Sequence, residues 1–247
     1  MMHEPFTPPA VRTPSPQPSG PGGPRYTYGE PLYTVPPVKV HAGLGIAGIV
    51  LAVVWTVVQL TQTMFAPQAA AAYARAATLG LSPSQSALTT YDLVGILVAP
   101  VALAAWVVSG VWLYKSRVTA QGANPSFVHE RSKVWAWLGW AVPLVNLWFP
   151  YQVVRDVRRA TSPRAVNGIG WWWAAWLVGY FVGESADKTS SRTSPGLSEL
   201  ASNIVVPLEV VSSVGMVVAL VLWIRIVREI TAWQRERLAE QAGANSY

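Results

Sequence analysis

The sequence predicts an all-α, multi-pass membrane protein with four transmembrane helices, a proline-broken re-entrant or interfacial helical element and a disordered N-terminal tail. Of its 247 residues, 51% are hydrophobic and 12% charged, whereas soluble domains average about 25% charged residues. Mean hydropathy is +0.30, and the apolar residues form blocks of about 15 to 25, the length of membrane spans. The chain has no cysteine, which excludes disulfides, cysteine zinc sites and iron–sulfur clusters.

Residues 1–38 form a tail with little apolar surface to bury. The tail holds 11 of the 20 prolines, a composition that predicts disorder. A PxxP spacing such as Pro5 to Pro8 is a weak signal in a segment so rich in proline. A flexible cytoplasmic spacer is therefore the favoured interpretation, with a docking tail for protein partners as the alternative.

The first two hydrophobic blocks predict a helical hairpin. Residues 42–65 contain no formal charge over 24 residues, enough to cross a hydrocarbon core of about 30 Å. Residues 93–114 form the second span. Between them, alanine-rich sequence favours a helix up to Gly80, and residues 82–85 (Ser-Pro-Ser-Gln) have the pattern of a capping box.

The third block, residues 134–150, is unlike the others. It contains Pro143 and Asn146 in its second half and ends at Pro150, so an unbroken spanning helix would hold helix breakers and an unpaired amide. In residues 151–160, apolar and polar side chains repeat with the period of an amphipathic helix, which is typical of a helix in the headgroup region. The apolar face of that helix is formed by Val153, Val154, Val157 and Ala160. We expect residues 134–160 to form a re-entrant or interfacial element.

The C-terminal half predicts two further spans. Residues 166–183 open with a tryptophan cluster, an arrangement typical of the membrane–water boundary. Residues 203–227 form the last span, and an arginine-containing helix follows it along the inner surface as far as residue 237. The membrane domain thus covers residues 39–237, and residues 238–247 form a C-terminal tail.

The distribution of charge favours four spans over five. If the third block crossed the membrane, the arginines at 155–164 and those after the last span would lie outside, against the positive-inside rule. If it returns to the same face, all basic clusters and both termini are cytoplasmic. Basic residues beside hydrophobic blocks also indicate anionic lipid as a partner and argue against nucleic acid.

Several of these motifs together resemble a known family. They are Gly139-Trp140, Pro143, Asn146-Leu147-Trp148, Pro150, Val153-Val154-Arg155-Asp156 and Trp171-Trp172-Trp173. The series is similar to the bacterial membrane family called domain of unknown function 4328, over roughly residues 39–237. The resemblance implies a helical architecture in a bacterial plasma membrane and supplies no activity.

Four residues are the candidate functional residues. Asn146 can satisfy backbone groups of a chain reversal at membrane depth, which is the favoured interpretation. The alternative is that Asn146, with Arg155 and Asp156, lines a cytoplasm-facing pocket for a lipid headgroup or small anion. Glu209 is the one acidic residue inside the last apolar block, and such residues indicate ion or proton coupling by default. Its position just after Pro207, near the outer boundary, favours contact with water instead.

Motifs for chemistry are missing from the sequence. The three histidines have no spacing that makes a metal or haem site, and no phosphate-binding loop or nucleophile elbow occurs. We therefore expect no enzymatic activity, no cofactor and no metal. The favoured function is a membrane interaction or scaffold protein, and the alternative is a small-solute or ion transporter that uses Glu209.

Small residues four apart indicate close helix packing. Ala175, Gly179 and Gly183 repeat in this way in the fourth block, and Gly43/Ala47 and Gly48/Ala52 do so in the first. Packing within one subunit is the favoured interpretation, with homo-oligomer formation as the alternative.

Overall fold

The computed structural model describes residues 39–142, 144–164, 167–190 and 194–244, and all regular structure among them is helical. The α-helices are α1 (Ala42–Thr78), α2 (Thr90–Ala123), α3 (Trp135–Ala141), α4 (Phe149–Thr161), α5 (Ile169–Ser190) and α6 (Ser198–Ala244). Single turns of 3₁₀ helix cover Pro83–Gln85, Val145–Leu147 and Pro195–Leu197. The predicted disordered tail and Pro143 lie outside the described residues.

Within the described residues, three helices are long and apolar enough to cross a membrane. They cover Ala42–Thr78, Thr90–Ala123 and Ser198–Glu240, and they contain the predicted spans 42–65, 93–114 and 203–227. Helix α5, which contains most of the predicted span 166–183, is not among them. Tryptophans, glycines and the acidic residues Glu184 and Asp187 lower its hydropathy.

Helices α1 and α2 are longer than the hydrophobic blocks that predict them. α1 continues through Pro67 to Thr78, and its second half is buried at Ala66 and Tyr73. The predicted capping box is confirmed, since the Ser82 N–H donates to Gln85 Oε1 at 3.1 Å, although it opens only one 3₁₀ turn. A second box that the sequence analysis missed starts α2, where the N–H of Thr89 donates to Asp92 Oδ2 at 2.7 Å.

The long helices pack in a chain of neighbours. α1 packs against both α2 and α6, and α5 packs along α6, whereas no extensive packing joins α2 to α5. The contact between α5 and α6 is close because it is made by small residues. A Cβ added at Gly215 would lie 2.9 Å from the Gly179 nitrogen and 3.0 Å from the Ala175 carbonyl oxygen. The small-residue stripe of α5 is therefore packed against α6 of the same chain.

The third hydrophobic block is broken into short pieces, as its prolines and asparagine predict. α3 has only 7 residues, and the chain reverses before α4. Leu144 takes a left-handed φ of 64° in this reversal, a conformation that costs a side-chain-bearing residue energy. The indole Nε1–H of Trp173 in α5 donates to the Leu147 carbonyl at 2.7 Å and braces the turn.

The amphipathic pattern of α4 is confirmed, but protein covers its apolar face. Val153, Val154, Val157 and Ala160 are all at most 3% exposed. The three valines belong to a core cluster with Trp112 of α2 and Ile230 of α6, among others. The expectation that this face lies in the headgroup region is corrected, because periodicity predicts that a face is buried without indicating what buries it.

Candidate functional site

Glu209 lies inside the helical bundle and is hydrogen-bonded to two other helices. Only 7% of the surface of Glu209 is exposed. The Tyr91 hydroxyl of α2 donates to Oε1 at 2.6 Å, and the Thr63 hydroxyl of α1 is 3.2 Å from Oε2. Thr63 also lies 2.7 Å from the Ser213 hydroxyl. The polar cluster of Thr63, Tyr91, Glu209 and Ser213 thus joins α1, α2 and α6 at one place.

This geometry corrects the expectation that Glu209 reaches water at the outer boundary. The position after Pro207 predicts the depth of the residue along α6, but it does not predict which side of the helix faces the neighbours. Tyr91 and Thr63 were missed as site residues, since nothing in the local sequence of either one indicates a partner more than 100 positions away. The signal available in the sequence was chemical, because a carboxylate buried in a helical bundle needs hydrogen-bond donors from neighbouring helices.

Two glutamines of α1 lie next to the polar cluster in sequence. Gln62 is 8% exposed, and its Nε2 would lie 2.8 Å from a Cβ added at Gly95 of α2. The Oε1 of Gln59 is buried without a hydrogen-bond partner among the described residues. The position of Gln62 agrees with polar contact between helices, the role expected of small and polar residues in membrane bundles.

Arg155 and Asp156 lie together at the other end of the bundle. Asp156 is 4% exposed and accepts the Glu130 N–H at 2.8 Å and Arg155 Nη2 at 3.0 Å. Arg155 also pairs with the Glu130 carboxylate at 2.5 Å. Both charges of the predicted anion site are therefore already neutralised by protein groups. These hydrogen bonds and ion pairs connect α4 to the loop between α2 and α3.

His129 lies in the same loop and is a titratable group whose sequence spacing argued only against a metal or haem site. Both ring nitrogens are buried without a hydrogen-bond partner among the described residues. Burial, and then the positive charge of Arg117, lower the pKa of His129 to about 4, although Asp156 acts in the opposite direction. The imidazole is thus held neutral at physiological pH.

Asn146 is not part of the Arg155 and Asp156 cluster. It lines an aromatic cavity of about 360 Å³ between the long helices, together with residues of α1, α2, α3, α5 and α6. Its side chain makes no hydrogen bond to any described residue, so the bracing of the reversal by Asn146 stays a prediction. The structure therefore separates the predicted pocket residues into an ion-pair cluster and a cavity wall.

The described part of the chain groups no three His, Asp or Glu side chains as metal ligands would be grouped. What it contains is a buried carboxylate with two hydroxyl donors, a neutralised ion-pair cluster and an aromatic cavity.

Long apolar helices that bury polar groups against each other define a helical membrane protein. The sequence profile of the family described as Domain of unknown function (DUF4328) matches residues 75–232. The chain belongs to this family. Comparisons with curated proteins and with solved structures found no match.

Proposed function

We propose that this protein is a non-enzymatic interaction protein of the bacterial plasma membrane, with four spans, both termini in the cytoplasm and a basic cytoplasmic end that contacts anionic lipid. The observation that carries the proposal is the concentration of exposed basic side chains at one end of the helical bundle.

The charges are distributed unequally between the two ends. The segments on one side of the predicted spans are 39–41, 115–164 and 225–240, and together they contain 13 basic and 5 acidic residues. The segments on the other side are 66–92 and 184–199, and they contain 3 basic and 4 acidic residues. Contacts hold the first set of segments together, for example Gln234 Nε2 to the Ser116 carbonyl at 2.9 Å and Thr119 Oγ1 to the Lys39 carbonyl at 2.9 Å. The positive-inside rule favours this end as the cytoplasmic one.

Most of the basic side chains at this end are free to meet lipid or protein. Arg155 and Arg158 are used in ion pairs with Glu130 and Glu229. The following basic residues at this end are exposed: Lys39, Lys115, Lys133, Arg159, Arg164, Arg225, Arg228 and Arg235. Each exposed Lys or Arg near an anionic surface contributes about 1 kcal/mol of attraction.

Helix α5 is the fourth span in this proposal. Its 22 residues rise about 33 Å at 1.5 Å per residue. Only the 15 residues up to Gly183 are free of charge, and they rise about 22 Å, so in a hydrocarbon core of about 30 Å the charged turns that follow would lie at the outer interface. Trp171, at its start, is 75% exposed and would lie at the interface as a membrane anchor. The close packing of α5 along the apolar part of α6 also supports a crossing. The broken element from α3 to α4 then lies on the cytoplasmic side.

The lipid part of the proposal is tested by charge removal at the basic end. We expect the full chain to melt at a higher temperature in nanodiscs of phosphatidylglycerol than in nanodiscs of phosphatidylcholine. The triple change Arg225→Gln, Arg228→Gln and Arg235→Gln should remove most of this difference, and so should high salt. Arg75→Gln, at the opposite end, is the matched control and should retain it. The proposal would be overturned if the difference in melting temperature between the two kinds of nanodisc were equal in the unchanged protein, the triple variant and Arg75→Gln.

The tail of residues 1–38 is the proposed contact for protein partners. A scaffold should lose its co-purifying cytoplasmic proteins when this tail is deleted, with the membrane domain still inserted. Retention of every partner after the deletion would exclude the tail as a docking segment.

A transporter that uses Glu209 is the second candidate, favoured by the burial of this carboxylate against Tyr91 and Thr63. Ionisable groups buried in spans are typical of proton and ion pathways. The two candidates differ in one experiment, measured as pH change inside proteoliposomes. A transporter loses proton coupling on Glu209→Gln, whereas an interaction protein shows no proton movement before or after the change.

A further inference from the structure

The aromatic cavity is lined by residues of α1, α2, α3, α5 and α6. Because α2 and α5 pack against α1 and α6 rather than along each other, a space of about 360 Å³ remains between them. Its α1 and α2 lining residues, including Ala52 and Ala102, lie near the middle of the predicted spans. A volume of this size is at the lower end of ligand pockets, which measure about 300–1,000 Å³. It fits the head of a lipid and is too small for a whole one.

Two hydrogen-bond donors at this cavity have no acceptor. Trp55 and Trp106 both line it, and the indole Nε1 of each is buried without a partner among the described residues. Buried polar groups in native proteins are nearly always hydrogen-bonded, so each exception needs an explanation. An indole N–H can only donate. A molecule in the cavity would therefore be recognised by acceptor atoms such as carbonyl oxygens.

The walls are aromatic and uncharged. Six of the 13 tryptophans line the cavity, and neighbouring rings touch, as with Trp140 and Trp176 at 5.3 Å and Trp176 and Tyr180 at 5.1 Å between centroids. Among the described residues no charged side chain lines it, and the Asn146 amide, which has no hydrogen-bond partner among them, is one of its few polar groups. Aromatic faces favour offset stacking with flat rings. A cation would suit these faces, but it offers no acceptor to the two indole donors.

We propose that the aromatic cavity binds the carbonyl-bearing ring of a neutral lipophile of the isoprenoid-quinone class. Its flat ring stacks among the tryptophans, its oxygens accept from Trp55, Trp106 and Asn146, and its chain leaves into the bilayer between α2 and α5. Leu103, Val107 and Phe181, each next in sequence to a residue that lines the cavity, are exposed apolar side chains. The residues that line the cavity do not include Glu209 or the basic residues. A negative result for quinone binding would therefore leave the proposed function unaffected.

The test uses the full chain in nanodiscs and menadione, a naphthoquinone ring without a chain, as the probe. Saturable quenching of tryptophan fluorescence is expected in the unchanged protein. Trp55→Phe and Trp106→Phe keep an aromatic ring but remove the donor, and each should weaken menadione binding about fivefold to tenfold, the loss of one hydrogen bond. Trp171→Phe also removes an indole, but outside the cavity, and should bind with unchanged affinity.

A second variant and two competing probes keep the result decisive. Ala102→Phe fills the cavity and should abolish saturable quenching while the protein keeps its helical circular dichroism. Non-saturable quenching that is equal in wild-type and Ala102→Phe proteins would overturn the proposal. So would a rise in melting temperature with dioctanoylglycerol but not with menadione, which would assign the site to an ester lipid. Binding of tetraethylammonium in place of menadione would assign it to a cation and would equally overturn it.

Discussion

At the scale of single residues, the interior of this bundle is organised by polar groups that find partners on other helices. Glu209 receives hydrogen bonds from Tyr91 and Thr63, and Ser212 Oγ donates to the Gly179 carbonyl at 2.8 Å. In a membrane such groups have no water as an alternative partner, so they bring helices together. The residue types are readable in the sequence. The pairing is not, because it depends on the rotation of each helix about its axis.

The Tyr91 hydroxyl should contribute measurably to stability. Tyr91→Phe removes the 2.6 Å hydrogen bond to Glu209 and leaves the carboxylate with Thr63 alone. Because the acceptor is buried, we expect the free energy of unfolding to fall by about 1–3 kcal/mol. Denaturant unfolding in detergent measures the change. Tyr151→Phe is the matched control, since Arg155 lies over the Tyr151 ring and that contact survives the change. Equal losses in the two variants would exclude a special role for the Tyr91 hydroxyl.

His129 should make stability depend on pH. Its pKa is about 4 in the folded protein, lowered first by burial, against about 6.5 in the unfolded chain. Between these values the unfolded chain binds a proton that the folded protein does not, so stability falls as pH decreases from about 6.5 to 4 and levels off below that window. His129→Gln should flatten this part of the profile, as measured by melting temperature against pH. An unchanged profile would contradict the assignment.

At the scale of elements, the sequence predicts the helices well and their surroundings less well. The apolar blocks, the capping box at Ser82 and the interruption of the block 134–150 in its second half all appear in the structure. The lengths of α1 and α6 do not follow from hydropathy, because alanine-rich and charged turns continue a helix after its apolar run ends. The protein covering of α4 is likewise set by tertiary packing, which a single periodic pattern cannot indicate.

The contact between α5 and α6 depends on the absence of a side chain at Gly215. A Cβ there would meet backbone atoms of Gly179 at 2.9 and 3.0 Å, and backbone cannot move aside as a flexible side chain can. We expect Gly215→Ala to lower the free energy of unfolding by about 1–3 kcal/mol. Gly170→Ala is the control, because a Cβ there meets nothing within 4 Å. That variant should be neutral or slightly stabilising. A neutral Gly215→Ala would show that the helices are not in close contact.

At the scale of the whole molecule, the chain is a helical membrane protein with one strongly basic end. The sequence indicates this polarity because the basic residues flank the same ends of successive apolar blocks. It does not indicate the aromatic cavity, since the tryptophans that line it are spread from Trp55 to Trp223. Only the packing of five helices brings them together. Asn146 lies among mainly apolar residues, which are not the surroundings of an anion pocket.

In the proposed topology α5 crosses the membrane with the basic end inside, and the cysteine-free chain allows a direct test. Single cysteines at Asn167 and Ser194, both exposed and on either side of α5, are labelled in intact cells with a membrane-impermeant maleimide. We predict that Ser194→Cys reacts at once and that Asn167→Cys reacts only after the cells are opened. Equal accessibility of the two sites would show that α5 does not cross, and the reverse pattern would place the basic end outside and overturn the proposed topology.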